Sequence, residues 1–166
     1  MPDQDAPLGE PLAERWDATT CTAEPWDPAY VPHEIGPDTV YIAPLTREHA
    51  EDISTWHYNA PYDVYDMAGV TPDELLDPEV GYHAVMAEHR LIGFRSFGQD
   101  GRVPGWEYDD SALDTGGGLR PELTGGGLGR AVISAGLAFG RARFAPVAFR
   151  VTVASFNPDP PMIVGG

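Results

Sequence analysis

The chain has little of what secreted, membrane-spanning and nucleic-acid-binding proteins need. It contains a single cysteine, so no internal disulfide can form. The first residues show no cationic stretch followed by a long apolar run, so we expect neither a signal peptide nor a membrane span, and the expected location is the cytoplasm. The ten basic residues are all arginines against 26 acidic ones, and the net charge of −16 argues against binding to nucleic acid or to an anionic membrane.

Residues typical of metal enzymes and serine hydrolases are also missing in the required spacing. The five histidines show no ligand spacing such as HExxH, and no cysteine accompanies them. No GxSxG motif surrounds a serine, so the sequence offers no nucleophile elbow. The sequence therefore predicts no metal site and no Ser-His-Asp hydrolase.

Composition divides the chain into three parts. Residues 1–36 are rich in proline and acidic side chains and hold few aliphatic ones, which is typical of a disordered segment. Residues 37–157 have the hydrophobic patterns of one folded domain. Residues 158–166 begin with closely spaced prolines that exclude a helix, so we expect an irregular tail.

The most specific motif lies between residues 119 and 130, LRPELTGGGLGR. A strand-like segment ends there, a glycine run follows, and an amphipathic helical pattern begins directly after it. Glycines at the start of a helix leave the first-turn amides free, so the motif predicts a site for a phosphorylated ligand. Its spacing fits neither a P-loop nor GxGxxG. The alternative is a low-complexity linker, because GGGL occurs twice, at Gly116 and at Gly125.

The motif resembles the cofactor site of the GNAT family of acetyl-CoA-dependent N-acetyltransferases, whose pattern is V-x-P-x-x-Q/R-x-x-G-x-G/A. In register with that pattern are Leu119, Pro121, Thr124, Gly127 and Gly129. The resemblance covers residues 40–157 in order. The segments similar to the family's first strand and helix, its second and third strands, and its fifth strand are Val40 to Tyr58, Tyr82 to Gly98 and Val147 to Asn157.

This resemblance implies an α/β fold with a mixed, mostly antiparallel sheet and helices on both faces. The family's C-terminal helix and last strands have no counterpart after residue 157, so we expect the domain to be truncated after the fifth strand. The implied function is transfer of an acetyl group from acetyl-CoA to a primary amine of an unidentified small-molecule or peptide acceptor. The alternatives are an inactive truncated remnant and a non-catalytic CoA-binding module.

The resemblance also implies roles for individual residues. The backbone of Leu119 is expected to bind the pantetheine arm of the cofactor. The loop after it and the end of the fifth strand contribute the other expected cofactor residues, Thr124, Gly125, Gly126, Gly127, Leu128, Gly129, Arg130 and Asn157. Amide formation also needs a base, for which Asp114 is the first candidate and Glu107 the second, with a solvated surface acid as the alternative for each. Tyr62 and Tyr65 are expected to line the acceptor side.

The missing end of the family's fold has two expected consequences. The tyrosine that protonates the departing thiolate lies in the missing part, so Tyr108 or a tyrosine of the acceptor side would have to replace it. The last strand would lack its covering helix, which predicts an exposed apolar edge at Phe149, Val151 and Val153. Self-association through that edge is therefore expected.

Overall fold

The computed structural model describes residue 35, residues 39–102 and residues 107–152. Within them, five strands form one sheet in the order of the chain, together with three α-helices. The strands are β1 (Val40–Pro44), β2 (His83–Ala87), β3 (Arg90–Phe97), β4 (Leu113–Leu119) and β5 (Phe149–Arg150), and the helices are α1 (Arg47–Ile53), α2 (Pro72–Leu76) and α3 (Gly129–Phe144). Neighbouring strands are antiparallel except β4 and β5, which are parallel. The predicted α/β class with a mixed, mostly antiparallel sheet is confirmed.

The start of α1 follows from a capping box. The Thr46 hydroxyl accepts a hydrogen bond from the amide of His49 at 3.2 Å, and the His49 ring accepts one from the amide of Thr46 at 3.2 Å. Each side chain thereby satisfies an amide that the helix leaves unpaired. The helix buries Ala50 and Ile53 on its inner face, in the same cluster as residues of the sheet.

β2 and β3 form the hairpin predicted between residues 82 and 97. Glu88 and His89 connect the strands with φ of 49° and 65°, which is the left-handed backbone of a tight two-residue turn. A bulge then inserts one extra residue of β3, Ile92, between positions that pair with β2. After this bulge, Phe94 packs on the side of α1, whereas Arg95 lies against α3.

The core has one layer on each side of the sheet. The layer under α1 and α2 is formed by Ala43, Ala50, Ile53, Trp56, Met67, Leu75, Ala84, Met86, Leu91 and Phe94. The layer under α3 is formed by Val40, Ile42, Val85, Ala87, Ile92, Leu123, Leu128, Ala131 and Val132. Successive residues of β2 alternate between the layers, as expected for a strand that is buried on both faces. Helices therefore cover both faces of the sheet.

The first of the two glycine runs lies inside β4. Gly116, Gly117 and Gly118 pair with three consecutive residues of β3. A methyl group at Gly118 would lie 2.7 Å from the ring of Phe94, so the strand leaves no room for a side chain there. The linker interpretation of this stretch is therefore wrong, because pairing with β3 keeps these glycines in an extended strand.

The expected exposure of Phe149 is wrong. Its side chain is buried in a cluster with Leu137 of α3, and a methyl group at Gly140 would lie 2.8 Å from its ring. α3 itself covers this position, because the absence of a side chain at Gly140 lets the helix approach closely. Val151 is half-buried, and Val153 lies outside the described residues.

Three predictions fall on residues that the structure does not describe. They are the disorder of residues 1–36, apart from Ile35, the cofactor role of Asn157 and the irregular tail of residues 158–166. Ile35 is described and packs against the layer under α3. Among the described residues, no helix combines the length and the apolar character that crossing a membrane requires.

Replacing Ile53 by alanine should lower the free energy of unfolding by about 3 kcal/mol, because the Ile53 side chain is fully buried between α1 and the sheet. Val64→Ala is the control, since Val64 is 65% exposed. The control should change stability by less than about 0.5 kcal/mol. Urea denaturation measures both variants, and equal midpoints would contradict the packing of α1.

Candidate functional site

The loop between β4 and α3 turns back through two left-handed glycines. After Leu119 the chain makes one 3₁₀ turn, Pro121–Leu123, and then Gly125 and Gly127 adopt φ of 79° and 80°. Residues with a side chain adopt this backbone only at a cost, so glycine is favoured at both positions. Leu128 returns to the right-handed region with φ of −78°. Within this loop the amides of Thr124 and Gly126 donate to the carbonyls of Pro121 at 3.2 Å and of Leu123 at 3.4 Å.

α3 begins without a side-chain cap. Its N-cap residue is Leu128, whose side chain has no acceptor, and the amide of Val132 donates to the Leu128 carbonyl at 3.1 Å. The amides of residues 129–131 therefore have no partner within the helix. Gly129 and Arg130 are exposed, and no atom lies within 4 Å of where a Gly129 side chain would begin. The positive end of the dipole of this 16-residue helix faces the same space.

The residues after Leu119 that are expected to bind the cofactor thus lie together on one loop. Residues 124–127 and 129–130 are exposed, and Leu128 is buried as an anchor in the layer under α3. The Thr124 hydroxyl is less available to a ligand than expected, because it already donates a hydrogen bond to the Pro121 carbonyl at 2.7 Å. The amides at the start of α3, more than side chains, are therefore what this region offers to an anion.

β4 and β5 pair only at their amino ends. The paired residues are Leu113 with Phe149 and Asp114 with Arg150. Beyond them, the described part of β5 offers no partner to residues 115–119, whose strand pairing is with β3. Among the described residues, one edge of β4 thus has no partner strand along a mostly glycine segment that ends at the loop, and we call it the open edge.

A tyrosine from the opposite layer reaches the carboxyl end of β4. The Tyr58 hydroxyl donates to the Leu119 carbonyl at 2.7 Å. Burial raises the pKa of Tyr58 above its usual value, so the phenol stays protonated at neutral pH. Leu119, the residue expected to bind pantetheine through its backbone, thus has its carbonyl engaged by Tyr58. No motif marks Tyr58 in the sequence, where it follows Trp56 and His57.

Asp114, the first candidate base, is the centre of an ion-pair cluster. Its side chain is 1% exposed and accepts hydrogen bonds from Arg102 Nε at 2.7 Å and from Arg150 Nε at 2.6 Å. The hydrogen bond from Arg150 is the main cause that lowers the pKa of Asp114; burial opposes it, and Arg102 lowers the pKa further. A carboxylate held ionised between two guanidinium groups is a weak base. The environment therefore argues against the predicted catalytic role of Asp114.

The ring of Tyr108 completes this cluster, because both arginines lie close to it. Its ring centre is 5.2 Å from the Arg102 guanidinium and 5.1 Å from that of Arg150, and Arg150 also donates to Asp109 at 3.0 Å. The cluster joins the segment before β4 to the first residues of β5. A pocket of about 270 Å³ lies beside it, at the end of β4 opposite to the glycine loop. Glu107, the second candidate base, is exposed in the same segment.

The expected acceptor residues project from an exposed turn after α1. Tyr62 and Tyr65 are 39% and 38% exposed. The turn is followed by Asp66, whose carboxylate accepts a hydrogen bond from the amide of Tyr58 at 2.6 Å. This amide is the main cause that lowers the pKa of Asp66. Because Tyr58 also donates a hydrogen bond to the Leu119 carbonyl, Tyr58 connects the turn that holds Tyr62 and Tyr65 to the carboxyl end of β4.

Arg95 of β3 is a candidate that sequence reasoning missed. Its side chain is 4% exposed, and its hydrogen bond is from Nη2 to the Thr115 hydroxyl at 2.8 Å. Burial lowers the pKa of Arg95 to about 10. The signal in the sequence is its position within the apolar strand LIGFRSF, where an arginine is rarely buried.

Comparison with known proteins adds no family assignment. No family model, curated protein or solved structure matches the chain. Within the described part of the chain, no three His, Cys, Asp or Glu side chains converge as a metal ion would require. The interpretation of the site therefore depends on its geometry and on the resemblance of the loop motif.

Asp114→Asn should lower the free energy of unfolding at neutral pH by about 3 kcal/mol, because it leaves Arg102 and Arg150 without their shared carboxylate. The pKa of Asp114 is lower in the folded chain than in the unfolded one. The stabilisation is therefore present above about pH 4 and is lost as the pH falls through the folded value. Urea denaturation from pH 7 downward should show the difference between the two proteins shrinking in acid.

Asp110→Asn is the matched control for this prediction. Asp110 is exposed in the same segment, and its substitution should change stability by less than about 0.5 kcal/mol. A difference between wild type and Asp114→Asn that stays constant down to strongly acidic pH would contradict the ion-pair assignment.

Proposed function

We propose that the chain is an acyl-CoA-dependent N-acyltransferase of the acetyl-CoA-using GNAT type, which acylates a primary amine of a small molecule or peptide. One observation carries the proposal: the loop of residues 120–128 connects the open edge of β4 to the uncapped start of α3. A ligand with an extended, amide-containing arm and a phosphorylated end matches these two features together. CoA has this chemistry.

The loop supports the phosphate end of the ligand. The amides of residues 129–131 have no partner within the helix, and the turn through Gly125 and Gly127 before them is exposed. Neither a basic P-loop residue nor a metal cluster is needed for this mode, because the amides and the helix dipole supply the positive potential. The pyrophosphate of CoA is the group we assign here.

The open edge of β4 supports the arm. Backbone groups of an unpaired strand edge bind an extended partner by main-chain hydrogen bonds, and pantetheine contains two amides that are suited to this. The glycines at positions 116–118 keep side chains away from the arm. The thioester would then lie along β4, some distance before the loop.

The reaction needs positioning more than side-chain chemistry. The neutral amine nitrogen attacks the thioester carbonyl carbon and the carbon–sulfur bond breaks, while the amine loses a proton to a base and the thiolate takes one from an acid. A backbone amide of the β4 edge would polarise the carbonyl. With Asp114 engaged by arginines, the remaining base is Glu107 or water, and the nearest identified phenol at β4 is Tyr58.

The acceptor is expected on the side of the exposed tyrosine turn. Tyr62 and Tyr65 flank Asp63 there, and the whole chain carries a net charge of −16. An acidic surface with exposed aromatic rings attracts cationic groups, since the field raises their local concentration and the rings stack on them. A protonated amine that loses its proton in the cleft is therefore the acceptor class that we propose.

A CoA-binding module without catalysis is the second candidate. The observation that favours it is the state of Asp114, whose ion pairs with Arg102 and Arg150 remove the expected base from the reaction. The two candidates differ in turnover. Incubation with acetyl-CoA and a panel of amines, followed by detection of released thiol, would give product for the enzyme and none for the module.

Gly129→Asp should abolish binding of CoA, because it adds a carboxylate to the amides that bind the pyrophosphate. The position has no neighbouring atom within 4 Å of a new side chain, so the substitution is sterically free. A carboxylate in the first turn of α3 also interacts favourably with the helix dipole, so the free energy of unfolding should be unchanged or slightly higher. Titration calorimetry with CoA and thermal unfolding measure the two effects separately.

Gly129→Asn is the matched control, since it has the same shape without the charge. It should retain most of the affinity for CoA. Failure of the folded wild-type protein to bind CoA or acetyl-CoA would remove the proposed function, and equal affinity of Gly129→Asp and Gly129→Asn would remove this location of the phosphates.

A further inference from the structure

Arg95 is a buried cation without a counter-charge among the described residues. No carboxylate there forms an ion pair with it, and its Nε has no hydrogen-bond acceptor. Arg120 is equally buried but is satisfied, because it pairs with Asp52 and stacks on Trp56 at 5.0 Å. A charge in the interior is unfavourable unless it is paired, so Arg95 lacks what Arg120 has.

Two glycines form the slot that holds the Arg95 side chain. A methyl group at Gly117 of β4 would lie 2.8 Å from Arg95 Cδ and 3.0 Å from Nη1. A methyl group at Gly136 of α3 would lie 2.8 Å from Nε. The side chain therefore passes between the sheet and α3 only because both positions lack side chains. The hydrogen bond to Thr115 holds the Nη2 end over β4.

The slot brings the guanidinium of Arg95 from β3 over β4. Arg95 stands on β3, its side chain crosses over Gly117 and Thr115, and the far side of these residues is the edge without a described partner strand. The position is also remote from the glycine loop. Gly136 is seven residues after the start of α3 at Gly129, a rise of about 10 Å along the helix. A group that meets Arg95 is therefore far from the phosphates of a ligand bound at the loop.

We propose that Arg95 binds a carboxylate at the acyl end of the donor, so that a CoA thioester of a dicarboxylic acid is bound in preference to acetyl-CoA at the same site. This inference rests on the proposed function, which places the arm of CoA along β4. A carboxylate supplies the buried guanidinium with the counter-charge and the two acceptors that its planar donors match. An acetyl group supplies neither.

The test compares the affinities of succinyl-CoA, acetyl-CoA and free CoA by titration calorimetry. The wild-type protein should bind succinyl-CoA about ten-fold or more tightly than acetyl-CoA. In Arg95→Met this ratio should fall to about one. Arg141→Met, which removes an exposed arginine of α3, should keep the wild-type ratio. Equal affinity of the wild type for the two thioesters, or a preference that persists in Arg95→Met, would overturn the proposal.

Thermal unfolding gives a readout that does not depend on the thioesters. Arg95→Met should keep or raise the melting midpoint, because an apolar side chain of similar length replaces an unpaired buried charge. A fall of many degrees would show that the guanidinium already has a counter-charge within the chain, and this would also overturn the proposal. Arg95→Lys, which keeps the charge without the planar fork, should retain part of the succinyl-CoA preference.

Failure of the proposed function would be distinguishable from failure of this inference. If the folded protein binds free CoA but does not distinguish the thioesters, the cofactor assignment stands and Arg95 has no acyl role. If no CoA compound binds, the proposed function fails. Binding of free succinate then tests whether Arg95 forms a carboxylate site. Stabilisation by succinate of the wild type but not of Arg95→Met supports a carboxylate site, and an equal effect on both removes it.

Discussion

The ion pairs of Asp114 with Arg150 and Arg102 are the contacts on which the arrangement of β4 and β5 depends. In the described chain the two strands share only two residue pairs, which is too little backbone pairing to hold a parallel strand by itself. The buried carboxylate adds hydrogen bonds from both arginines at this same end. The amino ends of the strands are therefore held together, and the carboxyl part of β4 is left with an open edge. A residue that looked like a base in the sequence is thus better understood as the structural centre of the site.

Glycine has two distinct functions around this edge. In the loop, Gly125 and Gly127 provide the left-handed backbone of the turn that leads into α3. In β4 and α3, Gly117 and Gly136 provide space instead, because the Arg95 side chain lies where their side chains would be. Glycines inside a strand or helix reduce stability. Their presence here is explained by the room they leave for a buried arginine and for close approach of a ligand to the backbone.

The arginines of this acidic chain differ in how far their charge is satisfied. Arg120 has a carboxylate, a carbonyl and an aromatic ring as partners, and so it connects the end of β4 to α1. Arg102 and Arg150 share Asp114. Among the described residues, Arg95 has the Thr115 hydroxyl as its one hydrogen-bond partner. Because an unpaired buried charge is costly, this contrast indicates Arg95 as a binding residue.

The sequence by itself determined the local features of this protein, because these depend on neighbouring residues. The capping box at Thr46, the hairpin after Tyr82 and the helix that starts at Gly129 are readable in this way, whereas the α/β class was expected from the resemblance of the loop motif. Only the tertiary structure decided which distant residues meet. The pairing of Asp114 with Arg150, the hydrogen bond of Tyr58 to Leu119 and the slot of Arg95 join residues that are 20 or more positions apart. Contacts of this kind depend on strand register and on the bulge at Ile92, which shifts the alternation of β3, and no local pattern encodes either.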